Sequence, residues 1–198
     1  MDPTKSLIDL MAPRSGHFRF ESSHHGDHWL EPDLLLQRPT VLRPFASALA
    51  DRLKHHRFEA VCGPLTGGAF LAQLVAEECG VAFAFAERFA APPSDAMYPV
   101  SYRIPEALRS GLRSLSVAIV NDVTNAGSAV RGAYQDLLLC GARPVALGTL
   151  VALGGWPSAF AAAKELALES LETLPNNLWD PNDCPLCAAR VPLEDPSS

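Results

Sequence analysis

Short apolar runs alternate with amphipathic stretches along most of this chain. The runs have the length of buried strands, and the stretches between them carry apolar residues at helical spacing. This alternation predicts an α/β fold in which right-handed crossovers join the strands of a parallel sheet. The predicted strands cover residues 58–62, 81–86, 116–120 and 144–151, and the predicted helices cover residues 44–53, 69–78, 129–140 and 159–172.

Two loops of small residues follow predicted strands. Residues 63–68 have the sequence Gly-Pro-Leu-Thr-Gly-Gly, and residues 121–128 are mostly polar or small. Ligands of parallel sheets bind at the carboxyl ends of the strands, so both loops are candidate binding loops. Residues 90–105 contain four prolines without periodicity and are predicted as a loop, and the residues from 175 onward as an irregular tail.

The composition is that of one folded domain spanning residues 1–198. Hydrophobic residues make up 48% of the chain and charged residues 19%, which excludes a disordered chain. No apolar run approaches the roughly 20 residues of a membrane span, and the N-terminus has no secretory signal. We therefore expect a cytoplasmic protein without a membrane partner. The net charge of −6, without a basic run, argues against a nucleic-acid partner.

An apolar strand, a polar pair and a small-residue loop come together at residues 117–131. Asp122 at the strand end can accept hydrogen bonds from ribose hydroxyls. Gly127 permits close backbone approach, and the next helix offers unpaired N–H groups and its positive dipole end to a phosphate. The pattern alone is equally compatible with an ordinary strand-to-helix turn capped by Ser128. Further side-chain donors are Thr124, Asn125 and Ser128.

Four segments, in order, resemble type I phosphoribosyltransferases, and three of them resemble the orotate branch of that family. The segment at 117–131 is similar to the family's phosphoribosyl-diphosphate motif. The other three are Gly-His-Phe at 16–18 with Glu-Ser-Ser-His-His-Gly-Asp at 21–27 (the base site), Val-Cys-Gly-Pro-Leu-Thr-Gly-Gly-Ala at 61–69 with Leu-Ala at 71–72 (the pyrophosphate loop and the following helix), and Cys-Pro-Leu-Cys at 184–187 with Val-Pro-Leu at 191–193 (the tail of some bacterial members).

The resemblance implies a parallel-sheet type I phosphoribosyltransferase fold, with helices on both faces and a small hood to which residues 1–42 contribute. The implied reaction joins phosphoribosyl diphosphate to a nitrogenous base, orotate in this branch, and releases pyrophosphate. It also implies Mg²⁺, a homodimer, and a mobile loop within residues 90–105 that closes over the site.

The resemblance further implies a role for each matching residue. The phosphoribosyl group would contact Asn121, Asp122, Val123, Thr124, Asn125, Ala126, Gly127, Ser128 and Ala129. Pyrophosphate would contact Pro64, Leu65, Thr66, Gly67, Gly68 and Arg88, and the base would contact Ser22, Ser23 and His25. The catalytic residues would be Asp122, Arg88 and Arg103.

The sequence departs from the family at two charged positions. Family members usually carry two acidic residues at the strand end, whereas this chain has Asn121 before Asp122. Orotate enzymes usually place a loop lysine over pyrophosphate, but this chain has no lysine between Lys54 and Lys164. Arg88 or Arg103 would have to replace it, although arginine and lysine differ in geometry. These departures leave two alternatives: a phosphoribosyltransferase for another base, and a regulator that binds phosphoribosyl nucleotides with weak catalysis.

The cysteines and histidines give no complete metal site in the sequence, and we assign no residue to a metal. The five cysteines, without a signal peptide, do not indicate a disulfide framework. Cys184 and Cys187 form half of a zinc knuckle, with free thiols or a redox pair as alternatives. The histidines at 24, 25 and 28 are predicted to lie in a solvated or base-contacting loop. Trp156 and Trp179 are predicted to be core or interface aromatics.

Overall fold

A computed structural model describes residues 6–90 and 100–196. It contains nine strands and seven α-helices, with short 3₁₀ turns between some of them. The strands are β1 (Arg14–Arg19), β2 (His25–Trp29), β3 (Ala60–Pro64), β4 (Ala82–Ala90), β5 (Val100–Arg103), β6 (Ser116–Thr124), β7 (Arg143–Leu153), β8 (Ala167–Leu174) and β9 (Leu178–Trp179). The helices are α1 (Asp33–Leu36), α2 (Pro39–Leu53), α3 (Gly67–Cys79), α4 (Glu106–Leu112), α5 (Ser128–Leu139), α6 (Trp156–Ala163) and α7 (Pro185–Ala188).

Six strands form a central sheet in the order β5-β4-β3-β6-β7-β8. All neighbours in this sheet are parallel except β4 and β5, which are antiparallel. The predicted α/β fold with a parallel sheet is therefore confirmed. Because β3 and β6 are adjacent and parallel, the two small-residue loops that follow them lie side by side at one edge of the sheet.

The side chains of the central strands divide between two apolar clusters, one on each face of the sheet. In β6, Ala118 and Val120 pack with α2 and α3, whereas Val117 and Ile119 pack with α5 and α6. All four side chains are fully buried. Alternation with a period of two places an apolar residue on both faces, which explains why the strands are almost continuously hydrophobic.

The hood is a separate three-stranded sheet, with strand order β1-β2-β9. β1 and β2 form an antiparallel hairpin, and β9 pairs with β2 through His25 with Trp179 and Gly26 with Leu178. The strand β9 comes from the tail that was predicted to be irregular. Residues 33–42, which were assigned to the hood, instead form α1 and the start of α2, and their Leu35 and Leu42 are buried in the main core.

The predicted helix at residues 159–172 is wrong beyond its first turns. The helix α6 ends at Ala163, and Ala167–Leu174 forms the edge strand β8 beside β7. Between them Glu165 takes a left-handed φ of 55°, a conformation unusual for a residue with a side chain. The leucines of β8 face both clusters, since Leu168 packs on one and Leu171 on the other.

Two further boundaries differ from the prediction. Residues 100–103, predicted as loop, form the strand β5 against β4. The central part of the predicted closing loop, residues 91–99, lies outside the described residues. The third predicted strand continues beyond residue 120 to Thr124, because β7 keeps supplying partners as far as Ala152. Within the described ranges, no helix is long and apolar enough to cross a membrane.

Candidate active site

A cavity of about 600 Å³ opens between the carboxyl ends of the central strands and the hood. The pyrophosphate loop predicted at residues 64–68 and the whole predicted phosphoribosyl segment, residues 121–129, line it from the sheet side. The lining from the hood side comprises Phe20, Glu21, Ser22, His28 and Trp29. The two ends of the cavity are therefore built by different sheets.

Two helices begin at this cavity, and neither start carries a side-chain cap within the described residues. α3 begins after Thr66, and α5 begins after Gly127. The first N–H groups of a helix have no partner inside the helix, and the helix dipole adds partial positive charge there. Two such starts facing one cavity offer two separate places for phosphate groups.

The pyrophosphate loop touches the polar residues of β6. A Cβ atom on Gly67 would lie 1.9 Å from Oδ2 of Asp122, and one on Gly68 would lie 2.5 Å from Oδ1 of Asn121. Both positions therefore require glycine, because any side chain would displace the residues predicted to hold ribose. The peptide bond before Thr66 in this loop is cis.

The carboxyl group of Asp122 holds its proton up to a higher pH than a free aspartate does. Its pKa is raised to about 6, mainly because burial disfavours the charged form, and the nearby Asp33 carboxylate adds to the rise. The N–H of Val123 donates to Oδ1 of Asp122 over 2.7 Å and opposes the rise. Asn121, in contrast, carries no charge and is fixed by donating from Nδ2 to the Val123 carbonyl over 2.7 Å.

A threonine on β7 fixes the end of β6. Thr149 is fully buried, and its hydroxyl donates to the Asp122 carbonyl oxygen over 3.1 Å. The hydroxyl of Thr124, itself buried, lies 3.2 Å from the same oxygen of Thr149. These contacts connect the main chain at the strand end to the central sheet, so the phosphoribosyl segment starts from a rigid point.

Gly127 has a structural reason to be glycine that the sequence does not show. Its φ is 75°, in the left-handed region, and a Cβ there would lie 1.9 Å from the ring of Trp156. Trp156 in turn stacks on Phe160, with ring centroids 4.7 Å apart. The prediction that Trp156 is a core aromatic is confirmed, because it packs against the cluster on the α5 and α6 face.

On the hood side, one carboxylate joins three segments of the chain. Glu21 accepts from Nε of Arg88 over 2.7 Å and from the hydroxyl of Tyr102 over 3.0 Å. Arg88 belongs to β4 and Tyr102 to β5, so this contact ties the hood turn to the edge of the central sheet. Glu21 and Tyr102 line the cavity, yet neither was predicted as a site residue.

Most predicted site residues reach the cavity, but three do not. Arg88 and Ser22 line it, as do residues 64–68 and residues 121–129. Ser23 does not line it, and His25 is buried against His17 and Cys187 instead. Arg103 is exposed, with its guanidinium carbon 5.6 Å from the centre of the Phe89 ring.

The alternation of side chains along a strand explains the position of Arg103. Its neighbour Tyr102 is buried and faces the cavity, so Arg103 points to the other face of β5. The structure thus places Arg88, but not Arg103, in the lining of the cavity. No local pattern marks Tyr102 or Asp33 in the sequence, because their approach to the cavity depends on how distant segments pack.

The cavity lining carries more negative than positive side chains. Among the described residues, Arg88 is the only lysine or arginine of the lining. The lining acids are Glu21, Glu31, Asp33 and Asp122. An anionic ligand would therefore be held by the helix starts and Arg88, together with any cation that it brings.

Comparison with known proteins agrees with this geometry. No family model matches the chain. The orotate phosphoribosyltransferase of Caldanaerobacter subterraneus subsp. tengcongensis is 30% identical over 183 residues, covering 92% of this chain and 89% of that protein. The orotate phosphoribosyltransferase of Thermotoga maritima is 31% identical over 186 residues, covering 92% and 90%.

Solved structures show the same fold at lower identity. The structure of Mycobacterium tuberculosis orotate phosphoribosyltransferase in complex with 5-phospho-α-D-ribosyl 1-diphosphate has a TM-score of 0.55, covers 73% of this chain and 80% of that chain, and is 14% identical. The adenine phosphoribosyltransferase of Thermoanaerobacter pseudethanolicus has a TM-score of 0.61, covers 74% and 88%, and is 15% identical. Taken with the sequence identity over nine-tenths of its length, this fold and cavity mean that the chain belongs to the orotate phosphoribosyltransferase family.

Proposed function

We propose that this enzyme transfers the phosphoribosyl group of phosphoribosyl diphosphate to orotate and releases pyrophosphate. The observation that carries the proposal is the pair of helix starts without a side-chain cap, after Thr66 and after Gly127, that line one cavity together with Asp122. A substrate with a phosphate at one end, a diphosphate at the other and a ribose between them matches this arrangement.

In this placement each part of the substrate has its own set of residues. The 5-phosphate lies at the turn of residues 124–129, and the ribose hydroxyls lie at Asn121 and Asp122. The diphosphate lies at residues 64–68 with Arg88 beside it, and the base lies toward the hood near Ser22. The bond between the ribose C1 and pyrophosphate breaks with its electron pair leaving on the phosphate oxygen. A ring nitrogen of orotate then gives an electron pair to C1, which forms the new bond, and the proton of that nitrogen is lost to solvent.

Charge placement is the main contribution that these residues can make to catalysis. Positive charge develops on the ribose as pyrophosphate leaves, and ionised Asp122 offsets it from a hydrogen-bonding distance. Arg88 faces the opposite charge, on the leaving group. Its guanidinium is about half exposed while paired with Glu21, so it can turn toward pyrophosphate without first losing a buried partner.

The acidic lining favours a substrate that arrives with a divalent cation. Carboxylates such as Asp122 and Asp33 are hard oxygen donors of the kind that Mg²⁺ prefers, and Mg²⁺ usually keeps several waters when it binds a diphosphate. The residues therefore fit Mg²⁺ accompanying the diphosphate. When bound, the ion would neutralise part of the charge on the leaving group, which Arg88 alone cannot balance.

The family resemblance further suggests that the enzyme acts as a homodimer in the cytoplasm. Sedimentation of the purified protein at micromolar concentration tests the dimer. The chain mass is 21.2 kDa. A single species of twice this mass would support the dimer, and a monomer at all concentrations would contradict it.

The decisive experiment measures pyrophosphate release by purified protein with phosphoribosyl diphosphate and Mg²⁺, in the presence and absence of orotate. Adenine, hypoxanthine and uracil are tested in parallel, and chelation of Mg²⁺ is the negative control. We expect release that depends on orotate and on Mg²⁺. Turnover with another base alone would assign a different substrate. Tight binding of phosphoribosyl diphosphate without turnover of any base would favour the regulator that Asn121 and the missing lysine suggested.

A further inference from the structure

Two histidines and two cysteines from distant segments meet beside the hood, away from the cavity. His17 lies in β1, His25 in β2, Cys184 directly before α7 and Cys187 inside it. Their ligand atoms all lie within 4.8 Å of one another. None of the four is among the residues that line the cavity in the described structure, so the proposed transferase chemistry does not account for them.

Four of the six separations between the ligand atoms lie close to the edges of a metal-centred tetrahedron, and all six are within 4.8 Å. Nε2 of His17 lies 3.1 Å from Nδ1 of His25, 3.4 Å from the Cys184 sulfur and 3.7 Å from the Cys187 sulfur. Nδ1 of His25 lies 3.3 Å from the Cys187 sulfur. Tetrahedral zinc with ordinary Zn–N and Zn–S bond lengths separates such atoms by about 3.3–3.8 Å.

The hydrogen bonding of His17 directs a lone pair into this cluster. Its Nδ1 lies 2.9 Å from the Val191 carbonyl oxygen, which can only accept, so Nδ1 must carry the proton. In the neutral ring Nε2 is then unprotonated, and it is the atom that faces His25, Cys184 and Cys187. A histidine held by a carbonyl on one nitrogen, with the other nitrogen free to coordinate, is the usual arrangement around protein-bound metals.

The hairpin geometry explains how two histidines reach one point. β1 pairs with β2 through Phe18 opposite Gly26 and Arg19 opposite His25, with an irregular register between Ser15 and Phe18. His17 and His25 are thus diagonal neighbours on one face of the hairpin. Because Cys184 and Cys187 are separated by two residues at a short helix start, both sulfurs can face the same hairpin surface.

We propose that His17, His25, Cys184 and Cys187 bind one structural zinc ion. Four protein ligands close the coordination shell, which is typical of structural rather than catalytic zinc. Two nitrogen and two sulfur ligands in tetrahedral arrangement select zinc over harder ions such as Mg²⁺. On binding, both thiols lose their protons to solvent, and two thiolates neutralise the dication, so burial of the completed site carries no net charge.

The metal would fasten the tail to the hood. His17, Cys184 and His25 are each at most 5% exposed, so the site lies inside the junction between β1, β2 and the tail. Farther along the tail, Glu194 pairs with Phe18 of β1, and Pro196 lines the cavity. The hood residues Phe20 and Ser22 lie in the short connection between the two histidine-bearing strands. The zinc site therefore positions the base end of the cavity without touching substrate.

The first test is the metal content of the full-length protein, prepared without a histidine tag and without chelators. We expect about one zinc per chain by elemental analysis. Replacement by Co²⁺ under reducing conditions should give the visible absorption of a tetrahedral site and a sulfur-to-cobalt charge-transfer band. A chain with no zinc as purified and no such cobalt spectrum would overturn the proposal. A mass of the denatured protein that is two hydrogens below the mass of the reduced chain, with Cys184 joined to Cys187 as a disulfide, would overturn the proposal as well.

The second test separates these four residues from other thiols and imidazoles. Cys184→Ser, Cys187→Ser, His17→Gln and His25→Gln should each lose most of the zinc, and the melting temperature should fall by about 5–10 °C. The matched controls are Cys79→Ser, at a partly exposed cysteine, and His55→Gln, at an exposed histidine. Both controls should retain the metal, and equal loss from either would refute the assignment.

The cobalt spectrum of the wild-type chain remains informative even if a variant fails to fold. Metal content is also independent of turnover. A protein that binds zinc but transfers no phosphoribosyl group would contradict the proposed function and leave the metal site intact.

Discussion

The central sheet and the hood are stabilised by different interactions. The sheet is enclosed by two apolar clusters, and strand residues such as Ile119 and Leu147 are completely buried. The strands of the hood are joined by only a few backbone pairs, and the hood contacts the tail through polar groups. Asp27 accepts from the Asn177 backbone N–H over 3.0 Å and from its side-chain amide over 2.6 Å.

This difference divides the cavity into two ends with different demands. In the proposed placement the phosphates and the ribose lie at the end built on the central sheet, which the two apolar clusters enclose. The base end depends on the hood, whose register is set by polar groups and by the proposed metal. Substitutions at the sheet end should therefore abolish binding of all phosphoribosyl substrates. Substitutions at the hood end should instead cause smaller, graded changes in turnover or stability.

The largest effect is expected at the turn before α5. Gly127→Ala would place a Cβ against Trp156, which cannot retreat because it stacks on Phe160. The turn must shift, and its N–H groups would then no longer point toward the phosphate. Because hydrogen bonds to charged groups contribute about 1.5–3 kcal/mol each, we expect affinity for ribose 5-phosphate to fall at least a hundredfold or so by calorimetry.

Gly141→Ala is the matched control for this change. Gly141 has a φ of 77°, close to the 75° of Gly127, but the nearest atom to its Cβ would be 3.6 Å away. Both variants share the backbone strain of about 1 kcal/mol, and only Gly127→Ala meets the tryptophan. Equal loss of phosphate binding in the two variants would show that strain alone, and not the position of the turn, governs the site.

A smaller effect, of opposite sign for binding and for stability, is expected at Asp122. Asp122→Asn removes the charge that would face the ribose and should weaken binding of phosphoribosyl diphosphate about ten- to a hundredfold. Wild-type affinity should rise with pH and level off above about 6, where the carboxyl group is ionised, and the rise should be smaller in the variant, in which only the phosphate groups of the ligand titrate. A wild-type affinity that is flat from pH 5 to pH 8 would contradict an ionised carboxylate at the ribose.

The same variant should be more stable without ligand at high pH. The pKa of Asp122 is raised by folding from 3.8 to about 6, so the folded state binds the proton more tightly than the unfolded state. Stability is therefore lost as pH rises through this window, with an upper limit of about 3 kcal/mol. Urea unfolding should show that Asp122→Asn exceeds wild type at pH 8 and that the difference shrinks toward pH 4.

At the edge between sheet and hood, Arg88 and Arg103 give a direct comparison. Arg88→Ala should lower kcat/KM about ten- to a hundredfold, less than the loss of a fully enclosed donor, because Arg88 is about half exposed. Arg103→Ala should change it less than about threefold, since Arg103 lies on the opposite face of β5 over Phe89. A larger loss at Arg103 than at Arg88 would contradict this placement and would mean that Arg103 reaches the site in the working enzyme.

The smallest effect is expected from an ion pair between hood and tail. Arg14 and Glu194 are paired, but both side chains are 50% exposed, and exposed pairs contribute little. Glu194→Gln keeps the backbone hydrogen bonds of residue 194 to His17 and Arg19, which lie at 2.8 Å and 2.9 Å. The free energy of unfolding should change by less than about 0.5 kcal/mol. A loss comparable to that of Cys184→Ser would argue that ion pairs, and not the metal, fasten the tail.

The sequence predicts the four inner strands of the central sheet because their signal is local. Strands buried on both faces, such as β3 and β6, are apolar runs that end in small-residue loops, and both loops line the cavity as predicted. β8 escapes prediction because its leucines serve both clusters and because the turn at Glu165 contains no glycine to mark a helix end. Tertiary packing overrides local propensity there.

The cluster of histidines and cysteines beside the hood escapes prediction for a different reason. His17 and Cys184 are 167 positions apart, and no periodicity connects them. The sequence shows half of a metal-binding pattern at Cys184 and Cys187, but the other half is an eight-residue separation between two strands rather than a helical motif. His25 was assigned to the base because its neighbours match a family segment. Only the fold shows that Ser22 faces the cavity while His25 faces the cysteines.

The strands of the hood sheet are far apart in sequence, and this separation determines the order in which parts of the protein can fold during synthesis. The hairpin of β1 and β2 emerges from the ribosome early, but Asp27 cannot meet Asn177 until 150 further residues have been made. Contacts so distant in sequence form late, because a long loop must close first. The strands β3, β4, β6 and β7, the last of which ends at Leu153, can pair while the hairpin still lacks its third strand. The nascent chain would therefore acquire its phosphate-binding end before its base-binding end, and it becomes a complete enzyme only after translation has passed Glu194.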